Sequence, residues 1–246
     1  MATYAVVADG TIAERYNLPL LEGLPQEGPA FWLQRIDGAL SLCQNIDCGL
    51  KPLALDFSTG KVAHRLKQCK SQREPLARAC GFTRGRIPSV IDATAGLAQD
   101  GLLLAAMGAD VTMIEQHPLI HALLDDALSR GRSGPNWLQT ILSRVTLIHD
   151  NSSDWLSSNE AGVIYLDPMY PESGHQRTAK VKKGMQLLRL LPDTETDHVA
   201  LFNAALTAMT ERLVVKRPNW AEALSTQPVH SCYEGKTHHY DIYIKN

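Results

Sequence analysis

The chain has 246 residues, is 44% hydrophobic and 20% charged, and carries a formal net charge of −2. This is ordinary globular composition, long enough for one large domain or a large and a small one, and it excludes a polycation that binds nucleic acid through bulk charge. No leader pattern and no apolar run of roughly 18 residues is present, so a cytoplasmic protein that neither is secreted nor spans a membrane is expected. Cys43, Cys48, Cys69, Cys80 and Cys232 form no C-x-x-C pair, so reduced thiols and no metal site are expected.

Residues 1 to 60 read as a small α+β region. Tyr4 to Ala8 is a strand ended by Asp9-Gly10, and Thr11 to Tyr16 a short helix. Gly23, Pro25, Gly28 and Pro29 mark a loop. Phe31 to Ile36 and Ala39 to Gln44, joined at Asp37-Gly38, form a hairpin, and Leu53 to Phe57 a third strand. From 61 to 86 the character changes: Lys61, Arg65, Lys67, Lys70, Arg73, Arg78, Arg84 and Arg86 face one acid, Glu74. This is either a solvated helix face or a contact with phosphate backbone.

From Val90 onward strand and helix alternate, which implies a mostly parallel, doubly wound sheet. The strands are Val90 to Asp92, Asp110 to Glu115, Val145 to His149, Val163 to Leu166 and Leu213 to Lys216. Helices are expected at Asp100 to Met107, His117 to Arg130, Trp137 to Ser143, around Leu187 to Leu191, and from Thr196 to Arg212; Gly131 to Pro135 is a loop. Val229 to Tyr233 and His239 to Ile244 close the chain as an antiparallel hairpin. The domains expected are an accessory α+β region over 1–80 and an α/β, Rossmann-like domain over 81–246.

Chemistry gathers at the strand ends. Ala93, Ala95 and Gly96 keep the turn after the first strand free of bulk, and the following helix points its positive end at the same spot, the layout of a nucleotide-type site. Glu115, 23 residues after Asp92, ends the second strand, where an acid can accept both hydroxyls of a ribose. Asp150, Asn151 and Ser152 end the third strand, either bordering an adenine or making a plain turn. Asp167-Pro168-Met169-Tyr170 ends the fourth: a carboxylate, a rigid proline and an aromatic that can grip a planar amino group. Only Gly96 and Gly101 stand where a dinucleotide fingerprint wants three glycines, and that tetrad has no role in hydride transfer. S-adenosylmethionine (SAM) is therefore favoured over a nicotinamide.

Asp92-Ala93-Thr94-Ala95-Gly96-Leu97-Ala98-Gln99-Asp100 resembles the first motif of class I SAM-dependent methyltransferases, and Asp167-Pro168-Met169-Tyr170-Pro171 the fourth, used on exocyclic amines. More narrowly, the chain resembles the ribosomal RNA small subunit methyltransferase J family. Leu124-Asp125-Asp126 with Leu128 and Arg130-Gly131, Leu147-Ile148-His149, Tyr165 to Met169, Val181-Lys182-Lys183, Val214 to Pro218 and Tyr240 to Tyr243 carry that resemblance. It implies methylation of guanosine N2 in the 3′-terminal region of 16S rRNA, with naked 16S rRNA or the small ribosomal subunit as partner and a monomer favoured. It also implies that Gln99 and Asp100 hold the methionine end of the cofactor, Glu115 and Gln116 the ribose, and Asn151 and Ser152 the adenine. Asp167 would sit where cofactor and substrate meet, binding the cofactor and, with Pro168, orienting the amine, and Tyr170 would stack on the base. His175, Arg177, Lys180, Lys182 and Lys183 would line an RNA-binding rim. His149, His198, His238 and His239 read as structural or surface residues. The family usually carries glycine and arginine where this chain has Ala98 and Gln99, so a slightly crowded cofactor turn is expected. The alternatives are a methyltransferase acting on adenine N6 or a protein amide, and a non-catalytic ribosome-binding protein of the same fold; measured cofactor binding separates the last.

Overall fold

The computed structural model describes residues 4–23, 30–45, 50–69, 74–170, 183–192 and 197–245. The expectations placed on Pro25, Gly28, Pro29, Cys48, Lys70, Arg73, Pro171, His175, Arg177, Lys180, Val181, Lys182 and the Lys183 side chain lie outside them. The chain begins with β1 (Tyr4–Val7), α1 (Gly10–Arg15), β2 (Leu20–Leu21), β3 (Phe31–Ile36), β4 (Ala39–Gln44) and β5 (Leu53–Ala54). These strands make a five-stranded sheet in the order β2-β1-β3-β4-β5. Asp37 and Gly38 both take positive φ, 50° and 80°, as the tight turn between β3 and β4 requires. The strand expected to reach Phe57 stops at Ala54. Asp56 turns the chain instead: its carboxylate accepts from the Ser58 N–H at 2.7 Å and the Thr59 hydroxyl at 2.5 Å, leading into α2 (Gly60–Gln68).

After α3 (Pro75–Ala79) come β6 (Val90–Asp92), α4 (Gln99–Ala106), β7 (Val111–Glu115), α5 (Pro118–Arg132), α6 (Asn136–Leu142) and β8 (Val145–His149). The chain continues through α7 (Ser152–Ser157), β9 (Ala161–Leu166), α8 (Lys183–Leu190), α9 (His198–Ala208), β10 (Met209–Pro218), β11 (Ser231–Glu234) and β12 (His238–Ile244). The sheet order is β11-β12-β10-β9-β6-β7-β8, with β6 to β10 parallel and β12 antiparallel to both its neighbours. From β6 the chain runs outward to β7 and β8, then returns to β9 on the other side of β6. That reversal opens a crevice at the carboxyl ends of the strands.

Several expected boundaries move. α5 runs through Gly131 to Arg132, because this glycine packs rather than breaks: a Cβ there would lie 2.6 Å from Leu142 Cδ1 of α6. The helix expected to reach Arg212 ends at Ala208, since Met209 already pairs with Ala161 of β9. Asn151, read as the polar end of a strand, caps the additional helix α7 by accepting from the N–H groups of Ser153 and Asp154.

Alternate residues of β9 feed opposite faces of the large sheet. Val163 and Tyr165 join a core with α4, α5 and the N-terminal sheet, whereas Ile164 and Leu166 pack with Leu201, Phe202 and Ala205 of α9. α5 lies between the two sheets, burying Leu119, Leu123 and Leu124. Asp126 on α5 fastens the join. Its carboxylate accepts from Arg35 Nη1 at 2.7 Å, Arg130 Nε at 2.8 Å and the Leu40 N–H at 3.1 Å. Burial opposes this charge, but the two arginines hold the carboxyl below the usual range. Beside it, Tyr16 and His121 meet at 2.5 Å from hydroxyl to Nδ1. α2 packs on α4, and α3 against β11 and β12.

Candidate active site

Asp92 ends β6 with its side chain buried, and the turn after it is tied to three strand ends. The Thr94 N–H donates to Asp92 Oδ1 at 3.2 Å, the Gly96 N–H to Glu115 Oε2 at 3.0 Å, and the Asp167 N–H to Thr94 Oγ1 at 2.6 Å. Gly96 takes φ +52°, and Ala98, just before α4, takes φ +57°. The Ala98 side chain is fully buried and is not among the residues lining the crevice. The expected crowding of the cofactor turn is therefore replaced by local backbone strain, about 1–2 kcal/mol for a left-handed alanine. At Gly101 a Cβ would lie 2.8 Å from Met113 Sδ and 3.0 Å from Asp92 Oδ2, so glycine lets α4 settle against β6 and β7.

The crevice holds a cavity of about 420 Å³, within the ~300–1,000 Å³ of small-molecule sites. Over the β7–β8 side it is lined by Glu115, Gln116, Asn151 and Ser152; over the β10–β12 side by Asp100, Lys216, His238, Tyr240 and, from α2, Arg65. Ala93 to Gly96, Asp167, Pro168 and Met169 lie between, and His198 of α9 also lines it.

Lys216 organises the acids. Its Nζ lies 2.7 Å from Asp100 Oδ2 and 2.7 Å from Asp167 Oδ2, and the Tyr165 hydroxyl donates to the same Asp100 oxygen at 2.6 Å. Burial opposes the lysine's charge, but Asp167 and Asp100 outweigh it and hold the ammonium above the usual lysine range. Burial also works against Asp100, yet Lys216 and Tyr165 keep it below the usual carboxylate range. Asp167 differs: burial pushes it up to about 6 despite Lys216. Its side chain is 39% exposed against 12% for Asp100, and its Oδ1 has no hydrogen-bond partner among the described residues. Burial raises Asp92 and Glu115 to about 7 each.

Of the residues expected at the site, Gln99, Asp100, Glu115, Gln116, Asn151, Ser152, Asp167 and Pro168 line the cavity. Some are partly committed to the scaffold. Ser152 Oγ donates to the Ala93 carbonyl at 2.7 Å, and Asn151 Nδ2 to Gln116 Oε1 at 3.0 Å. Tyr170 is not brought to the wall: its ring packs edge-on against Trp220, centroids 6.4 Å apart, with its hydroxyl buried and unpartnered among the described residues. Sequence reasoning missed Lys216, Arg65, Asp92, Thr94, His198 and His238 as wall or support residues. Two of these, His198 and His238, read from sequence as structural or surface histidines, line the cavity. For Lys216 it is the register that decides: Val215 pairs with Leu166, which sets a cation beside the acid at the end of the neighbouring strand. Among the described residues Cys232, His239 and Asp241 have metal-ligand spacing, but Arg217 Nε already pairs with Asp241 at 2.9 Å. Burial, reinforced by Asp241, raises the Cys232 thiol to about 11.

The residues fit a SAM-sized ligand. Small residues border the cavity, buried Glu115 stands beside the turn with its oxygens also accepting from the Gly96 and His117 N–H groups, and charged groups line the far side. Fold and site together define a class I, SAM-dependent methyltransferase, and a family model of SAM-dependent methyltransferases matches residues 11–245. A solved SAM-dependent methyltransferase from Neisseria gonorrhoeae shares the fold with a TM-score of 0.74 and 28% identity, covering 98% of this chain and 96% of that one. The ribosomal RNA small subunit methyltransferase J of Thioalkalivibrio sulfidiphilus is 40% identical over 95% of this chain and 91% of its own length. The protein of the same name from Pseudomonas syringae is 40% identical over 95% and 85%. The chain belongs to the ribosomal RNA small subunit methyltransferase J family and is a SAM-dependent methyltransferase.

Proposed function

We propose that the chain methylates the exocyclic N2 of a guanosine in the 3′-terminal region of 16S rRNA, as a monomer acting on naked rRNA or the small ribosomal subunit. The names of its relatives supply the substrate class. The observation that carries the amine assignment is the Asp167-Pro168 turn, on the cavity wall with one carboxylate oxygen tied to Lys216 and the other without a partner among the described residues. In this reading residues 1–80 are an accessory region to the catalytic domain over 81–246.

Bound SAM supplies an electrophilic methyl on a sulfonium. The chain's part is orientation and electrostatics. Glu115 and Gln116 hold the ribose, Asn151 and Ser152 border the adenine, and Gln99 and Asp100 serve the methionine end. The guanine N2 lone pair is delocalised into its ring and is a weak nucleophile. Hydrogen bonds from the amine to Asp167 Oδ1 and the Pro168 carbonyl favour a pyramidal nitrogen and aim its lone pair. The amine becomes acidic only as the new bond forms, so no strong base is needed first, and the ionised Asp167 favours the charge developing on nitrogen. Lys216 fixes the carboxylate's position and keeps the paired acids from repelling one another.

The test is incubation with methyl-labelled SAM and small ribosomal subunits from cells lacking this modification, followed by digestion to nucleosides. Label in N2-methylguanosine is expected. Label in N6-methyladenosine would overturn the target base, and no label on subunits or free rRNA would overturn the RNA substrate.

A further inference from the structure

We propose that Arg65, from the N-terminal segment, binds the α-carboxylate at the methionine end of the cofactor. The inference rests on the SAM-binding reading of the cavity. SAM carries one negative group, its carboxylate, and two positive ones, the ammonium and the sulfonium. The cavity wall presents Asp92, Asp100, Glu115 and Asp167 but few cations able to meet an anion. Lys216 is bound to two carboxylates at 2.7 Å each. His238 bonds the Tyr240 hydroxyl at 3.1 Å, and burial lowers its pKa. Arg65 lines the same wall; its charge is felt by Asp100, but it is within salt-bridge distance of no carboxylate among the described residues.

Its placement follows from packing. α2 buries Ala63 and Leu66 and lies against α4, which leaves Arg65 on the exposed side of the helix, beside Gln99. A second, smaller cavity of about 90 Å³, lined by Lys61, Val62, Arg65, Leu66, Gln99 and Leu103, adjoins the same arginine. Gln99 and Asp100 form the first turn of α4, whose positive end favours the same anion. A guanidinium matches a carboxylate with two parallel hydrogen bonds. The segment that looked from its charge like a phosphate-binding face thus gives one of its cations to the cofactor.

The test compares S-adenosylhomocysteine, which keeps the amino acid moiety, with 5′-methylthioadenosine, which lacks it. Affinities are measured by calorimetry on the intact wild type, Arg65→Ala and Arg65→Lys. Arg65→Ala is expected to weaken S-adenosylhomocysteine about 10- to 100-fold and to leave 5′-methylthioadenosine within about twofold, with partial recovery in Arg65→Lys. Equal weakening of both ligands would overturn the proposal in favour of a packing role. Unchanged affinity for both, with reduced rRNA binding, would overturn it in favour of a phosphate contact. If the wild type bound neither ligand, the cofactor reading itself would fail.

Discussion

Two ionic hubs, one at the join of the two sheets and one on the wall of the crevice, differ in what is left over. At Asp126 one carboxylate takes two arginines and a backbone N–H, and its side chain is only 7% exposed. At Lys216 one ammonium takes two carboxylates, and the outer one, Asp167, lines the cavity with a side chain 39% exposed and an Oδ1 that has no hydrogen-bond partner among the described residues. The first hub is closed and joins two sheets. The second carries excess negative charge and an open hydrogen-bond acceptor, which is what a group that must hold an incoming amine requires. The lesson is that pairing alone does not separate structure from chemistry; unspent acceptor capacity facing a cavity does.

Breaking the open hub should give the largest effect. Asp167→Asn is expected to lower the methyl-transfer rate about 10²- to 10³-fold while leaving S-adenosylhomocysteine affinity within a few-fold, checked by single-turnover labelling and calorimetry. Lys216→Met sharpens the contrast. Without its ammonium, Asp100 and Asp167 repel each other, so protonation of Asp167 becomes easier. Activity of the wild type should rise with pH through about 6, as Asp167 ionises, and this limb should move to higher pH in the variant.

Breaking the closed hub should cost stability instead. Asp126→Ala is expected to destabilise the fold by about 1–3 kcal/mol, read from chemical denaturation. Because the folded Asp126 is held below the ordinary carboxylate range, this contribution is present at neutral pH and is lost as pH falls below the unfolded value toward the folded one. His121, in the same joint, acts at higher pH. Burial and the neighbouring His149 lower it from 6.5 to about 4, so between those values the unfolded chain binds a proton that the folded chain does not. Its stabilising contribution therefore falls as pH drops through that window, by up to about 3 kcal/mol. Asp92 and Glu115, raised to about 7, act in the opposite sense. The readout is accordingly the stability difference between the wild type and His121→Phe as a function of pH. The smallest effect belongs to Ala98→Gly: relief of the left-handed strain is largely offset by glycine's unfolded-state entropy and the lost methyl burial, for a net change within about 1 kcal/mol.

The strands of the large sheet were legible because buried parallel strands are continuous apolar runs, and Glu115 and Asp167 were legible because they end such runs. What escaped depends on where elements meet. Lys216 reaches two acids only through the register of β10 against β9, and Arg65 reaches the wall only through the packing of α2 on α4. Tyr170 looked like a stacking residue by position in its tetrad, but whether its ring faces the cavity was decided by Trp220, fifty residues further along the chain. Gly131 looked like a breaker because local propensity knows nothing of Leu142.

The most direct test is a crossed comparison of Asp167→Asn and Asp126→Asn, measuring methyl-transfer rate per folded molecule and unfolding free energy for both. The account predicts that the first variant loses about 10²-fold or more in rate with little loss of stability, and that the second loses stability with its rate nearly intact. A Asp167→Asn enzyme that still transfers methyl within tenfold of the wild-type rate would contradict it.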